Sequence, residues 1–212
     1  MKGGIVARSR SEVRSSWFDE PNDEEGTAAV PVIDDSLPDR VIAHDPPISN
    51  VTAPDITDRL PFIEVPETRP VAVIGTHGGA GATALTACDT ELFFDCGTAW
   101  PKTERHQACI LVARTSARGL QSLQTALQQW AAAETPPVDL LGVALIADAP
   151  GKLPKPLKEL MQVVTGGAPR TWQLPWDPAM RVSTDNALAM RRSNKLIRHL
   201  KILVSDNRKE HS

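Results

Sequence analysis

The stretch that decides the fold reads Val71-Ala72-Val73-Ile74-Gly75-Thr76-His77-Gly78-Gly79-Ala80-Gly81-Ala82-Thr83-Ala84-Leu85. It opens with an apolar, β-branched run, which predicts a buried strand. A glycine-rich turn follows and leads into a segment that is compatible with a short helix. Because glycine has no Cβ, backbone N–H groups in such a turn can converge on an anion. The order of strand, turn and helix therefore predicts a phosphate-binding P-loop.

The turn resembles that of the MinD/ParA branch of P-loop NTPases, whose pattern is Lys-Gly-Gly-x-Gly-Lys-Ser/Thr. The residues here are His77-Gly78-Gly79-Ala80-Gly81-Ala82-Thr83, so the glycines and the hydroxyl match but both lysines are absent. In the family, the lysine at the Ala82 position reaches the β- and γ-phosphates. The lysine at the His77 position reaches a partner's nucleotide across a dimer. Since a P-loop lysine stabilises charge that develops during phosphoryl transfer, the resemblance implies a retained cradle with little hydrolysis.

A second apolar run, residues 91–97, ends in Asp95-Cys96-Gly97, which looks like the Walker B edge of the same group. In that group the Asp acts on Mg²⁺, directly or through water. The resemblance therefore implies that Thr83 and Asp95 contact a metal ion. It also implies that the segment between the first helix and this strand, which usually carries switch I and the catalytic Asp, is missing. This is a second reason to expect little hydrolysis.

The resemblance implies a site for ATP or another nucleotide with Mg²⁺, and the alternative is a glycine turn that binds no ligand. Trp176 follows a late strand whose family equivalent turns beside the base, although a Trp packed at a sheet edge fits the sequence equally well. No catalytic residue is predicted. The predicted binding residues are Thr76, His77, Gly78, Gly79, Ala80, Gly81, Ala82, Thr83, Asp95 and Trp176.

Buried runs alternate with helical patterns along the rest of the chain. Further strands are predicted at 108–113, 138–147 and 169–177, and further helices at 117–132, 152–164 and from Ser183 or Asp185 to about 205. The strands are apolar throughout, as parallel strands covered on both faces should be. The predicted fold is α/β, with a mainly parallel five-stranded sheet, helices on both faces and a P-loop NTPase-like architecture.

Charge and proline divide the 212 residues unequally. Residues 1–69 carry 14 acidic and 7 basic side chains, whereas residues 70–212 carry 12 and 16. We therefore predict an acidic, Pro-rich, disordered tail over 1–68, a P-loop-like domain over 69–206 and a disordered C-terminus over 207–212. Within the tail, Trp17-Phe18 is a candidate docking motif for a protein partner, and residues 60–67 are predicted to lie extended along the domain surface.

The three cysteines at 88, 96 and 109 predict buried, reduced thiols and a cytoplasmic protein. No apolar run is long enough to span a membrane. The last helix has a basic face, including Arg191, Arg192 and Arg198. Such a helix can touch nucleic acid or a membrane surface, but we favour a solvated basic face on a helix that covers the sheet.

Residues 70–180 also resemble an uncharacterised family of P-loop-like proteins from actinobacteria, often associated with mobile elements. The shared patterns are Gly-Thr-His-Gly-Gly-Ala-Gly, Asp-x-Gly-x-x-Trp-Pro and Ala-Asp-Ala-Pro-Gly-x-Leu-Pro. The favoured hypothesis is a regulatory or scaffolding module that binds a nucleotide or partner and hydrolyses little. The alternatives are an active ParA-type ATPase in DNA partition or transfer, and a pure protein-interaction module with an empty pocket. The resemblance also allows a homodimer.

Overall fold

The computed structural model describes residues 50–66, 70–178, 182 and 194–210, with side chains up to 205 in the last segment. Strands at all five predicted positions are present. In chain order the elements are β1 (Phe62–Glu64), β2 (Val71–Gly75), α1 (Ala82–Thr86), β3 (Phe93–Asp95), β4 (Trp100–Lys102), β5 (Gln107–Arg114), α2 (Ala117–Ala131), β6 (Val138–Ile146), α3 (Lys155–Thr165), β7 (Thr171–Leu174) and α4 (Asn194–Glu210).

The main sheet has the strand order β3-β2-β5-β6-β7, and every neighbouring pair is parallel. β5 is the central strand, and β2 lies between β3 and β5, where Val73 pairs with Asp95 on one side and with Ile110 on the other. The strands are apolar because each is covered on both faces. The predicted class, a mainly parallel five-stranded α/β sheet, is confirmed.

Helices cover both faces of this sheet, as the sequence predicted. On one face, inward side chains such as Ile74 and Leu111 pack with α2 and α3. On the opposite face, Val73 and Ile110 pack with α1 and α4. The alternation of these residues along β2 and β5 follows from the two-residue period of a strand.

A bulge interrupts the pairing of β5 with β6. Cys109 pairs with Leu140 and Ile110 with Gly142, so Leu141 is the extra residue. Gly142 has a φ of +151°, and a Cβ there would lie 2.6 Å from the carbonyl oxygen of Arg170. The bulge therefore requires glycine at this position.

The segment from residue 50 to 66, which the sequence analysis placed in the tail, packs against the domain. Within it, β1 forms a parallel two-stranded sheet with β4, and this extended strand agrees with the prediction for residues 60–67. Leu60 also lies against the same apolar cluster as α2. Lys102 ends β4, where it pairs with Glu64.

The last helix, α4, covers the face of the sheet that α1 only partly fills. Leu196 and Leu200 are buried there, while Arg198 is exposed. The helix continues to Glu210, beyond the predicted end near 205, because no helix-breaking residue intervenes. Ser183, Asp185, Arg191, Arg192 and the Trp17-Phe18 motif lie outside the described residues. Among the helices described, none combines the length and apolar character needed to cross a bilayer.

Candidate functional site

The glycine-rich turn lies where the order of the strands reverses. From β2 the chain passes through α1 to β3 on one side, whereas β5 leads through α2 to β6 on the other. The helices that follow β2 and β5 pack on opposite faces, so a crevice opens between the carboxyl ends of these two strands. Ligands of open α/β sheets bind at such a reversal.

Backbone hydrogen bonds to the chain on either side of β2 hold the turn in place. Gly75 N–H donates to the Gly97 carbonyl beyond β3 at 2.8 Å, and Thr76 N–H donates to the Val112 carbonyl in β5 at 2.9 Å. The buried Thr76 hydroxyl also donates to Val112 O at 3.3 Å. Thr76 is therefore an anchor of the turn, and its hydroxyl is engaged inside the protein.

The turn itself leaves a series of backbone amides unused. Ala80 N–H donates to the His77 carbonyl at 3.2 Å, which closes the turn. Positive φ values of +76° at Gly79 and +101° at Gly81 reverse the chain around it. Among the described residues, no acceptor is bonded to the amides of Gly78, Gly79, Gly81, Ala82 and Thr83.

The glycines differ in how much space surrounds them. A Cβ at Gly78 or Gly79 would have no heavy atom within 4 Å, so the turn has an open side. A Cβ at Gly81 would lie 2.6 Å from Ile146 Cδ1, so this glycine sits against the core. An open side, unused amides and a close-packed base form a cradle that fits a phosphate group.

Thr83 and Asp95, the two predicted metal contacts, lie together. Thr83 Oγ1 donates to Asp95 Oδ2 at 2.6 Å, and Gly97 N–H donates to Asp95 Oδ1 at 2.8 Å. Both side chains are exposed at the carboxyl edge of the sheet. Mg²⁺ is commonly held by one or two protein oxygens together with phosphates and water, so a hydroxyl and a carboxylate fit this ion. Within the described region, no group of three metal-ligating side chains occurs.

The positions of the two absent lysines are occupied differently. Ala82 is buried in the apolar cluster beside Leu85 and supplies no charge. His77 is half-buried, and its ring is held against its own chain: Nε2 accepts from Arg114 N–H at 3.3 Å, and Nδ1 lies 2.9 Å from Gly78 O. Because a backbone N–H can only donate, Nε2 is the acceptor in the contact with Arg114. His77 thus serves as a spacer between the turn and β5.

Arg114 is a site residue that the sequence analysis did not identify. It ends β5, the strand beside β2, and its Nε donates to the Gly79 carbonyl at 3.3 Å. Its Nη1 donates to the Ala147 carbonyl at 3.2 Å. Burial lowers the pKa of Arg114, while the charge of Asp148 acts in the opposite direction. The feature of the sequence that could have identified Arg114 is its position as a basic residue directly after a predicted buried strand.

Of two tryptophans near the ends of strands, Trp100 belongs to the core and Trp176 is a candidate site residue. Trp100 is fully buried, and its Nε1 donates to Gln129 Oε1 at 3.0 Å. Trp176 is half-buried just beyond β7. Because β7 is three strand positions from β2, the strands are about 14 Å apart. Its contact with a base stays a prediction.

The cysteines take no part in chemistry at this edge. Cys96 and Cys109 are buried free thiols, as predicted, and Cys88 is a half-buried one. Burial raises the pKa of Cys96 to about 12, with a further contribution from the charge of Asp95. Burial also raises the pKa of Cys109 well above its ordinary value. A thiol with such a pKa is a poor nucleophile at neutral pH.

Comparison with known proteins places the chain in a family without giving it an activity. Neither the curated proteins nor the solved structures contain a match to this chain. No P-loop or MinD/ParA family matched, so kinship with those NTPases remains a proposal. A model of the Family of unknown function (DUF6668) matches residues 69–196, and the chain belongs to this family.

Proposed function

We propose that this chain is a degenerate MinD/ParA-like P-loop module that binds the phosphates of a nucleotide, ATP or another, together with Mg²⁺. It hydrolyses the nucleotide slowly or not at all. It acts as a regulatory or scaffolding component and binds a protein partner. Partition or transfer of DNA is a process in which such a module would serve.

The observation that carries this proposal is the 2.6 Å contact between Thr83 Oγ1 and Asp95 Oδ2 beside a turn of unused amides. The two side chains come from different elements, α1 and β3, that are adjacent only in the folded sheet. Their hydroxyl and carboxylate oxygens are suited to Mg²⁺, and the neighbouring amides are suited to an anion. A magnesium–phosphate pair would satisfy both groups together.

The absence of both P-loop lysines from the turn supports low hydrolysis. Ala82 offers no ammonium group for a γ-phosphate, and the His77 ring is bonded within its own chain. Phosphoryl transfer relies on positioned cations to stabilise the developing charge, and their loss costs orders of magnitude in rate. Binding can persist because backbone amides still contact the phosphates.

Isothermal titration of the full chain with ATP, ADP, GTP and GDP, with Mg²⁺ or with EDTA, tests this proposal. We expect magnesium-dependent binding by the wild type and much weaker magnesium dependence in Thr83→Val and Asp95→Asn. Asp139→Asn is the matched control. Asp139 lies near the amino end of β6, at the opposite edge of the sheet from the turn, and contacts His106. Phosphate release measured on the same samples should stay near background.

The runner-up function is a protein-interaction module with an empty pocket, and β1 favours it. This short edge strand exposes Phe62 and Ile63 by 53% and 44%. Exposed apolar side chains on an unpaired strand edge are suited to pairing with another chain. If the folded wild type bound none of the nucleotides, this second function would replace the first. Rapid phosphate release would instead support the active ATPase.

A further inference from the structure

We propose that Arg114 supplies the cation for bound phosphates that the turn lacks at Ala82. This inference rests on the proposed nucleotide-binding function and names the residue that selects ligands by their phosphate number. Arg114 does not occupy the position of the absent lysine in the sequence. It lies at the end of β5 and reaches the turn from the strand beside β2.

Two carbonyl contacts fix the guanidinium at the reversal of strand order. Nε donates to Gly79 O in the turn, and Nη1 donates to Ala147 O directly after β6. These bonds use two of the five guanidinium N–H donors, so three remain for another acceptor. Gly79 has an open side, since a Cβ there would meet nothing within 4 Å. The cation therefore lies beside the part of the turn where an anion has room to bind.

The charge of Arg114 is only half solvated and lacks an anionic partner in contact. Among the described residues, no carboxylate oxygen lies within 4.0 Å of its guanidinium. The charge of Asp148 raises the pKa of Arg114, but its carboxylate forms no ion pair with the guanidinium. Partial burial of an unpaired cation is unfavourable, and a bound anion would remove much of that cost.

A guanidinium is also chemically suited to the task. Its planar set of donors binds phosphate oxygens in pairs, and such charge-assisted hydrogen bonds are stronger than those between neutral groups. Amides from the turn and donors from Arg114 would then contact the same polyphosphate from two adjacent strands. AMP would use fewer of these contacts than ADP or ATP.

The test compares ATP, ADP, AMP and adenosine binding to the wild type and to Arg114→Gln by isothermal titration. We expect Arg114→Gln to weaken ATP binding by roughly tenfold or more, to reduce the ratio of ATP to AMP affinity and to leave adenosine unaffected. Arg114→Lys should restore part of that ratio. Arg198→Gln, the same change at an exposed position of α4, is the matched control and should bind as the wild type does.

The outcomes separate this inference from the function on which it rests. If the wild type binds no nucleotide and no inorganic triphosphate, the proposed function fails and this inference fails with it. If the wild type binds and folded Arg114→Gln keeps the same ATP to AMP ratio, only the role of Arg114 is overturned. An equal loss of affinity for all four ligands would also overturn it, since that result indicates positioning of the turn alone.

A measurement on the unmodified chain keeps the test decisive if Arg114→Gln does not fold. The side-chain Nε–H resonance of Arg114, assigned by its loss in Arg114→Lys, should shift when inorganic triphosphate with Mg²⁺ is added. Adenosine should leave it unchanged. A resonance that stays fixed while triphosphate binds would contradict the proposal.

Discussion

Gly81 combines two requirements that no other residue type meets. Its φ is +101°, and a Cβ would approach Ile146 Cδ1 to 2.6 Å. We expect Gly81→Ala to lower the free energy of unfolding by about 1–2 kcal/mol, since a left-handed conformation disfavours a Cβ. Urea unfolding measures the change. Gly78→Ala is the control and should be nearly neutral, because its Cβ would meet nothing within 4 Å.

Gln129 is a buried polar residue on the apolar side of α2, only 1% exposed. Its Oε1 accepts from Leu60 N–H and Trp100 Nε1, and its Nε2 donates to the carbonyls of Leu60 and Glu134. All four hydrogen-bonding positions of the amide are therefore filled. One side chain thus joins the N-terminal segment, β4 and the end of α2.

We expect Gln129→Ala to lower the free energy of unfolding by roughly 2–4 kcal/mol, because it leaves several buried groups without partners. Gln124→Ala, an exposed change in the same helix, should alter it by less than about 0.5 kcal/mol. Chemical denaturation of both variants measures the difference. Equal stabilities would show that water replaces the lost hydrogen bonds.

The sequence revealed some of these residues and not others, for a physical reason. The pairing of Thr83 with Asp95 could be anticipated because each ends or follows a recognisable strand or turn. The roles of Arg114 and Gln129 depend mainly on groups 29 to 69 residues away in the chain. Periodicity places a side chain on a face of an element, but it gives no information about which distant carbonyl that face meets.

At the scale of elements, long apolar runs were predicted well and short or paired elements poorly. The cores of β5, α2 and β6 follow directly from period and length. The predicted second strand, residues 91–97, shortens to Phe93–Asp95 because Asp89 bonds to Leu92 N–H before it and Gly97 turns after it. Pairing of β1 with β4 joins segments far apart in sequence, so local pattern did not reveal it.

The attachment of α4 depends in part on one ion pair with the loop after α1. Lys201 Nζ lies 2.7 Å from Asp89 Oδ2. Burial raises the pKa of Asp89, but hydrogen bonds from Lys201 and Leu92 and the Lys201 charge outweigh it, so the net shift is downward. A carboxyl group whose pKa is lowered on folding stabilises the protein above its unfolded pKa and loses this contribution as pH falls.

We therefore expect Lys201→Met to be less stable than the wild type at neutral pH. The difference should shrink as the pH falls through about 3.8, where Asp89 is half-protonated in the unfolded chain, toward the lower pKa of the folded state. It should also shrink with added salt, because Lys201 is largely exposed. Urea unfolding at neutral and acid pH measures both effects. A difference that persisted unchanged at acid pH would assign the effect to the packing of the lysine stem.

At the scale of the whole molecule, strand order determines which residues can share a site. Alternating strands and helices predicted a parallel sheet, but several orders of five strands satisfy the same pattern. The order found here puts β5 beside β2, and with it Arg114 beside Gly79. The glycine-rich turn could thus be predicted from the sequence, whereas the position of Arg114 beside it depends on the topology of the sheet.

Residues 50–66 contribute to the stability of the domain, and their removal tests the size of that contribution. Comparison of a chain that begins at residue 50 with one that begins at residue 67 isolates residues 50–66, because both lack the preceding part. The shorter chain loses β1 and the two Leu60 bonds to Gln129. It also loses the ion pair between Arg59 and Glu134.

We expect this loss to cost about 3 kcal/mol, mainly from the buried amide of Gln129, and to lower the thermal midpoint by roughly 10 °C. Far-UV circular dichroism should remain that of an α/β sheet, since the five strands of the main sheet pair without the segment. Tryptophan fluorescence should shift to the red. Leu60 packs against the apolar cluster that contains Trp100, so loss of the segment should bring water closer to the indole and to its hydrogen bond with Gln129. Arg59→Met in the longer chain removes the ion pair and the hydrogen bond from Arg59 Nε to the Pro54 carbonyl, and it should move the midpoint little. Equal midpoints for the two chains would mean that α2 and β4 hold Gln129 in place without the segment, and that the stable domain begins at β2.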